Sequence, residues 1–158
     1  MKAVLGIGTN LGNREENLAS ALSLLEQLPG TRLERLSNLY ETEPFDVVSP
    51  QGPYLNCCVL LETTLPPEEL LERCLAVEAT LGRVRTEYHG ARTMDIDLLL
   101  YEGFSSETQK LTVPHPGIRE RAFVLVPLSD LFPGKEGLGY SFSQAYGQVD
   151  KSGVQLYK

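Results

Sequence analysis

The sequence predicts an α+β domain with a mainly antiparallel sheet, and three observations carry that expectation. Apolar residues fall into two kinds of run, short ones of strand length and longer ones with helical spacing. The two kinds alternate as strand, helix, strand, strand, helix, strand. Glycine and proline mark most of the junctions between them.

Ala3 to Ile7 is short and apolar before glycines, which reads as a buried strand. Asn13 followed by Glu16 resembles a capping box; Leu18, Ala21, Leu22, Leu25 and Leu28 then keep helical spacing until Pro29-Gly30 stops the run. Arg32 to Thr42 alternates imperfectly and reads as one strand. Glu43 to Pro53, with three prolines, a glycine and a serine, reads as a loop. Tyr54 to Thr63 is the richest strand candidate. Pro66-Pro67 opens a second helix whose Leu70, Cys74, Val77 and Leu81 share a face before Gly82 ends it. Gly82 to Arg92 reads as polar loop, Thr93 to Tyr101 as a strand, and Leu111 to Val113 as a further short one. From Arg119 the chain looks helical as far as Pro127. The glycine-rich remainder from Gly134 to Gly153 says little. The element order is the split β-α-β pattern of a ferredoxin-like β-α-β-β-α-β sandwich, with helices on one face of the sheet.

A chain of 158 residues, 42% hydrophobic and 22% charged, fits one domain over residues 1–158. A domain of that size buries roughly two thirds of its unfolded surface, enough for a core without staples. No run approaches the roughly 20 apolar residues that span a bilayer, and no export signal is visible, so a cytoplasmic protein without membrane contact is expected. Three cysteines without metal-ligand spacing read as reduced thiols. A net charge of −7 argues against a general nucleic-acid binder. Yet Arg83, Arg85, Arg92, Lys110, Arg119 and Arg121 gather a large part of the 14 basic residues in one stretch, where an anion could bind or the charges could simply be solvated. No oligomer signal is visible, and a monomer is expected.

In Met94-Asp95-Ile96-Asp97-Leu98-Leu99-Leu100, the strand period sends Asp95 and Asp97 to one face and Ile96, Leu98 and Leu100 to the other. At about 6.6 Å apart along the strand, two carboxylates repel by about 2.5 kcal/mol at an effective dielectric of 20. Either the pair stands in water or a cation compensates it. Magnesium takes oxygen ligands from one or two carboxylates and fills its shell with water and phosphates. Arg83, Arg85 and Arg92 precede the pair, so cations and carboxylates converge on one sheet edge. They either bridge one another or, with magnesium, form a polyphosphate site. Pro114-His115-Pro116 is stiff and fixes where the imidazole points. Phe45, Tyr54 and Phe123 either pack in the core or offer flat faces to a flat ligand. Gly6-Ile7-Gly8-Thr9-Asn10-Leu11-Gly12 lacks nucleotide-loop spacing and a following Lys-Ser/Thr, so it reads as a tight turn leading into a helix.

Taken together, Gly8 to Gly12, Tyr54-Leu55-Asn56, Gly82 to Arg85, Gly90 to Asp97, and Val113 to His115-Pro116 through Arg121-Ala122-Phe123 resemble the 6-hydroxymethyl-7,8-dihydropterin pyrophosphokinases. The resemblance runs in order from about Ala3 to Leu128. It implies transfer of diphosphate from ATP to the pterin hydroxymethyl group, with release of AMP, in folate biosynthesis. Asp95 and Asp97 resemble the ligands of two magnesium ions that hold the ATP phosphates, and the implied catalytic set is Arg83, Arg92, Asp95 and Asp97. Glu78, Arg83, Arg85, Arg92, Lys110, Thr112, His115 and Arg121 resemble its ATP contacts. Thr42, Glu43, Phe45, Tyr54, Asn56 and Phe123 resemble its pterin contacts, with Tyr54 and Phe123 as the two faces of a sandwich. His89 stands where some relatives place a tryptophan over the nucleotide. Two other readings of the paired aspartates are a ferredoxin-like regulatory domain that binds a small ligand and a two-metal phosphohydrolase.

Overall fold

The computed structural model describes residues 1–10, 12–42, 53–81 and 94–158. Strand β1 (Lys2–Thr9) leads into helix α1 (Arg14–Glu26), which starts where Asn13 accepts a hydrogen bond from the Glu16 amide at 3.1 Å. Strands β2 (Thr31–Leu36), β3 (Tyr40–Thr42) and β4 (Tyr54–Thr63) follow, then helix α2 (Pro67–Leu81) and strand β5 (Met94–Tyr101). A small hairpin of β6 (Ser106–Glu107) and β7 (Thr112–Val113) precedes a 3-10 turn, Ile118–Glu120, and helix α3 (Ala122–Leu131). The tail forms a second hairpin, β8 (Glu136–Gly137) with β9 (Tyr140–Ser141), then helix α4 (Ser143–Gln148) and strand β10 (Val154–Leu156).

The main sheet runs β10-β3-β4-β1-β5, with β2 also paired to β4, and every pairing is antiparallel. An α+β domain with an antiparallel sheet is thus what the chain forms. Alternation along the central strands divides the core in two. Ala3, Leu5, Ile7, Leu55, Cys57, Val59 and Ile96 face α1 and α2, meeting Ala21, Leu25, Leu70, Cys74 and Val77.

The other face corrects the expectation that helices cover one side only. Val4, Cys58, Leu60, Leu99 and Leu100 pack there against Val124, Leu125, Leu128 and Leu131 of α3, with Phe142 and Ala145 beside them. Strands this apolar on both faces need a second cover. Helix α3 also continues through Pro127 to Leu131, beyond the end that the proline suggested. An interior proline costs roughly 3 kcal/mol, whereas fully burying each of four large apolar side chains returns roughly 1.5–3 kcal/mol.

Two further expectations shift. The single strand over Arg32 to Thr42 is two, β2 and β3, separated at residues 37–39, and β2 itself carries an irregularity between Leu33 and Arg35. Ser37 then breaks the run, its hydroxyl accepting the Cys58 amide at 2.9 Å. Leu100 leaves the face of Ile96 and Leu98, since a register shift opposite Val4/Leu5 inserts Leu99 and turns both Leu99 and Leu100 toward α3. Among the described residues, no helix is long and apolar enough to cross a membrane.

Candidate active site

The register of three strands assembles the site. Gly8 of β1 lies opposite Asn56 of β4 on one side and Asp95 of β5 on the other, while Gly6 lies opposite Asp97 and Thr42 of β3 opposite Tyr54. These residues, with Arg121 and Phe123 from the start of α3, line a cavity of about 190 Å3. Asn56 and Thr42 are both buried, and the Asn56 side-chain amide donates to the Thr42 hydroxyl at 2.7 Å. A β-carbon at Gly8 would collide with the Asn56 side-chain oxygen. Gly6 and Gly8 therefore lie within a strand rather than in the expected turn. Of the three glycines there, Gly12, at φ +49°, uses the left-handed region.

A second cavity, about 390 Å3, opens along the outer edge of β5. Glu78, Lys110, Thr112 and His115 line it with Leu71, Leu75 and Gln109, and Asp95 and Asp97 belong to its wall as well as to that of the first. The two aspartates are thus common to both cavities. Both are half-buried between the buried Met94, Ile96 and Leu98, as the alternation predicted.

Glu78, only 4% exposed, supports that strand from below. Its carboxylate accepts the Ile96 amide at 2.6 Å, an N–H on the side of β5 where no strand pairs among the described residues. The His115 ring is held from two directions. Its backbone N–H donates to the Leu99 carbonyl at 2.9 Å, and its Nδ1 accepts the Gly117 amide at 3.0 Å. A neutral ring so held carries its proton on Nε2. Burial lowers the His115 pKa from 6.5; Asp97 opposes that shift and Arg121 adds to it.

Arg121 lies over the Phe123 ring, its guanidinium carbon 5.7 Å from the ring centre. Lys110 pairs with Glu72 at 3.2 Å on an open surface, and the Thr112 hydroxyl donates to the Thr108 carbonyl at 2.9 Å. Thr42, Tyr54, Asn56, Glu78, Asp95, Asp97, Lys110, Thr112, His115, Arg121 and Phe123 are thereby gathered around two cavities that share Asp95 and Asp97. Glu43, Phe45, Arg83, Arg85, His89 and Arg92 lie outside the described residues.

Sequence reasoning missed Gly8, and it missed Leu71 and Leu75. The leucines form a second apolar stripe on α2, four residues apart and offset from the core stripe of Leu70, Cys74 and Val77, with Leu75 half exposed. Among the described residues no group of three or more His, Cys, Asp or Glu gathers as a metal cage. Two carboxylates on a cavity wall suit magnesium rather than zinc, since magnesium accepts few protein ligands and takes the rest from water and phosphate.

The family of 7,8-dihydro-6-hydroxymethylpterin-pyrophosphokinases matches residues 4–133. The chain belongs to that family. It is 42% identical over 154 residues to the 2-amino-4-hydroxy-6-hydroxymethyldihydropteridine pyrophosphokinase of Methylorubrum extorquens, covering 98% of this chain and 97% of the relative. The enzyme of the same name from Synechocystis is 40% identical, over 96% of this chain and 78% of the relative. The folic acid synthesis protein of Schizosaccharomyces pombe is 37% identical over 98% of this chain, which matches 21% of that longer protein. Among solved structures, wild-type Plasmodium falciparum HPPK-DHPS superposes with a TM-score of 0.68 at 17% identity, a likeness of fold. It covers 93% of this chain, and the chain spans 40% of that longer one. Every residue lining the two cavities falls inside the matched segment, and α4 and β10 lie beyond it.

Proposed function

We propose that this pyrophosphokinase transfers diphosphate from ATP to 6-hydroxymethyl-7,8-dihydropterin and releases AMP, a step of folate synthesis. The observation that carries the reading is that Asp95 and Asp97 form the wall common to two cavities. One cavity has the dimensions and chemistry for a flat polar ring. Tyr54 and Phe123 supply aromatic faces, and the fixed Asn56-Thr42 pair supplies polar atoms for the rim. The other, about twice as large, offers apolar Leu71 and Leu75 beside Lys110, Thr112 and His115, a lining suited to a nucleoside and its phosphates.

In the reaction, the pterin hydroxyl oxygen bonds to the β-phosphorus, the bond from that phosphorus to the α–β bridging oxygen breaks, and AMP departs with that oxygen. The hydroxyl proton is lost to a base as the new bond forms. Asp95 and Asp97 would hold two magnesium ions, which supply charge neutralisation for the phosphate chain when bound. His115 offers its Nε2–H and Arg121 its guanidinium to phosphate oxygens from the cavity rim. Arg121 with Arg83, Arg85 and Arg92 forms the cationic side of the site. Glu78 holds the strand that carries the aspartates. Thr42, Glu43 and Phe45 complete the pterin side. The strand order, with β4 inserted between β1 and the β2/β3 pair, supports a ferredoxin-like core. A cytoplasmic monomer of 17.5 kDa completes the reading and is checked by sedimentation.

Incubation with the pterin, ATP and magnesium, with products separated by chromatography, tests the function. AMP and a pterin diphosphate in equal amounts are expected. ADP or free phosphate as the nucleotide-derived product, or no turnover, rejects it in favour of a hydrolase or a non-catalytic binding domain.

A further inference from the structure

We infer that Gly117 is a positioning residue for the proposed pyrophosphoryl transfer, bare of a side chain so that Arg121 can fold back over it and face the first cavity. The inference rests on the reaction given above and adds a residue that touches neither substrate.

Gly117 sits at the start of the 3-10 turn with φ −83° and ψ −3°, a right-handed conformation that any L-residue adopts. Its backbone therefore does not require glycine. Space does. A β-carbon at position 117 would stand 2.9 Å from both the Cζ and the Nε of Arg121 and 3.2 Å from its Nη1. The guanidinium thus lies against the glycine α-carbon while also covering the Phe123 ring, and these two contacts hold it at the wall of the cavity that Asp95 and Asp97 share. The same residue's amide orients His115 through Nδ1, so one glycine arranges both hydrogen-bond donors, the guanidinium of Arg121 and the Nε2–H of His115, that face the aspartates from this side.

A methyl group at position 117 meets only the far end of a flexible side chain, which swings away at little energetic cost. The amide donor survives in alanine. Gly117→Ala is therefore expected to leave the melting temperature equal or slightly raised, because alanine restricts the unfolded chain more than glycine does. The kcat/KM is expected to fall roughly 10- to 100-fold, the scale of a catalytic group displaced by about 1 Å.

The decisive experiment is a double-mutant cycle of Gly117→Ala with Arg121→Ala, measuring AMP formation and melting temperature for all four proteins. If glycine acts through the arginine, Gly117→Ala causes its loss in the parent and little further loss in the Arg121→Ala background. Equal losses in both backgrounds, or full activity in Gly117→Ala, overturn the inference. So does a fall in melting temperature that accompanies equal losses. Should the parent protein form no AMP, the reaction itself is rejected, and calorimetric affinity for ATP with magnesium reads the same coupling across the four proteins, additive values overturning it.

Discussion

The side-chain oxygen of Asn56 occupies the volume that a β-carbon on Gly8 would need, and the two residues are direct partners in adjacent strands. Asn56 cannot turn aside without cost, because it is buried and its amide donates to Thr42 at 2.7 Å. Gly8→Ala is accordingly expected to destabilise the fold by about 1–3 kcal/mol, the usual penalty of overpacking a close-packed site. It should also raise the KM for the pterin far more than that for ATP, since Asn56 lines only the first cavity. Urea unfolding and separate substrate titrations measure the two effects; an unchanged pterin KM contradicts the assigned role of Asn56.

Glu78 and Ile96 give a second prediction. The Ile96 amide is a buried donor on the side of β5 away from β1, and the Glu78 carboxylate accepts it at 2.6 Å. Glu78→Ala should cost about 1–3 kcal/mol for the unmet donor, with a further loss for the space left behind. Glu78→Gln keeps an acceptor oxygen and should retain more of the stability. Chemical denaturation of the two variants separates these outcomes, and equal losses would show that the hydrogen bond contributes nothing.

Much of the fold was legible because its signals are local. The Asn13-Glu16 cap, the period of Leu18, Ala21 and Leu25, and the proline at the start of α2 each act within a few residues. The alternation of Asp95 and Asp97 against Ile96 was equally local, and it holds as far as the bulge. What escaped depends on distant partners. Strand β10 exists by pairing Val154, Gln155 and Leu156 with Thr42, Glu41 and Tyr40, and nothing in the glycine-rich tail announces that partner. Helix α3 outlasts Pro127 because the far side of the sheet needs cover. Gly8 looked like part of a turn because glycine in a strand gains meaning only once Asn56 is known to stand across from it.

The three cysteines give a third prediction. Cys57, Cys58 and Cys74 are free and buried. Burial pushes the Cys57 thiol up to about 12, and Cys74 also to about 12 with help from Glu78 and Asp97. Cys58 is likewise raised well above its ordinary value, by burial first and then by Cys57 and Asp130. The thiolate is the reactive form, so a disulfide reagent at about pH 8 should find almost no fast thiol in the native protein and all three after denaturation. A rapid native phase of even one equivalent would contradict the burial.

His115 gives the last prediction, on pH and stability. Its folded pKa lies below the unfolded value of 6.5, because burial disfavours the imidazolium and Arg121 adds to that, while Asp97 acts in the opposite sense. Above the unfolded value both states are neutral, and the group contributes no pH dependence. As pH falls through 6.5, the unfolded chain takes up the proton first, so stability declines until the folded pKa is passed. The slope from this one group cannot exceed about 1.4 kcal/mol per pH unit. His115→Gln removes it. Urea unfolding of both proteins from about pH 7.5 to about pH 5 should therefore show the parent losing stability more steeply than the variant over the acid part of that range. Identical slopes would mean that the imidazole protonates as freely in the fold as in water, and that it is not held neutral with its Nε2–H available to a phosphate.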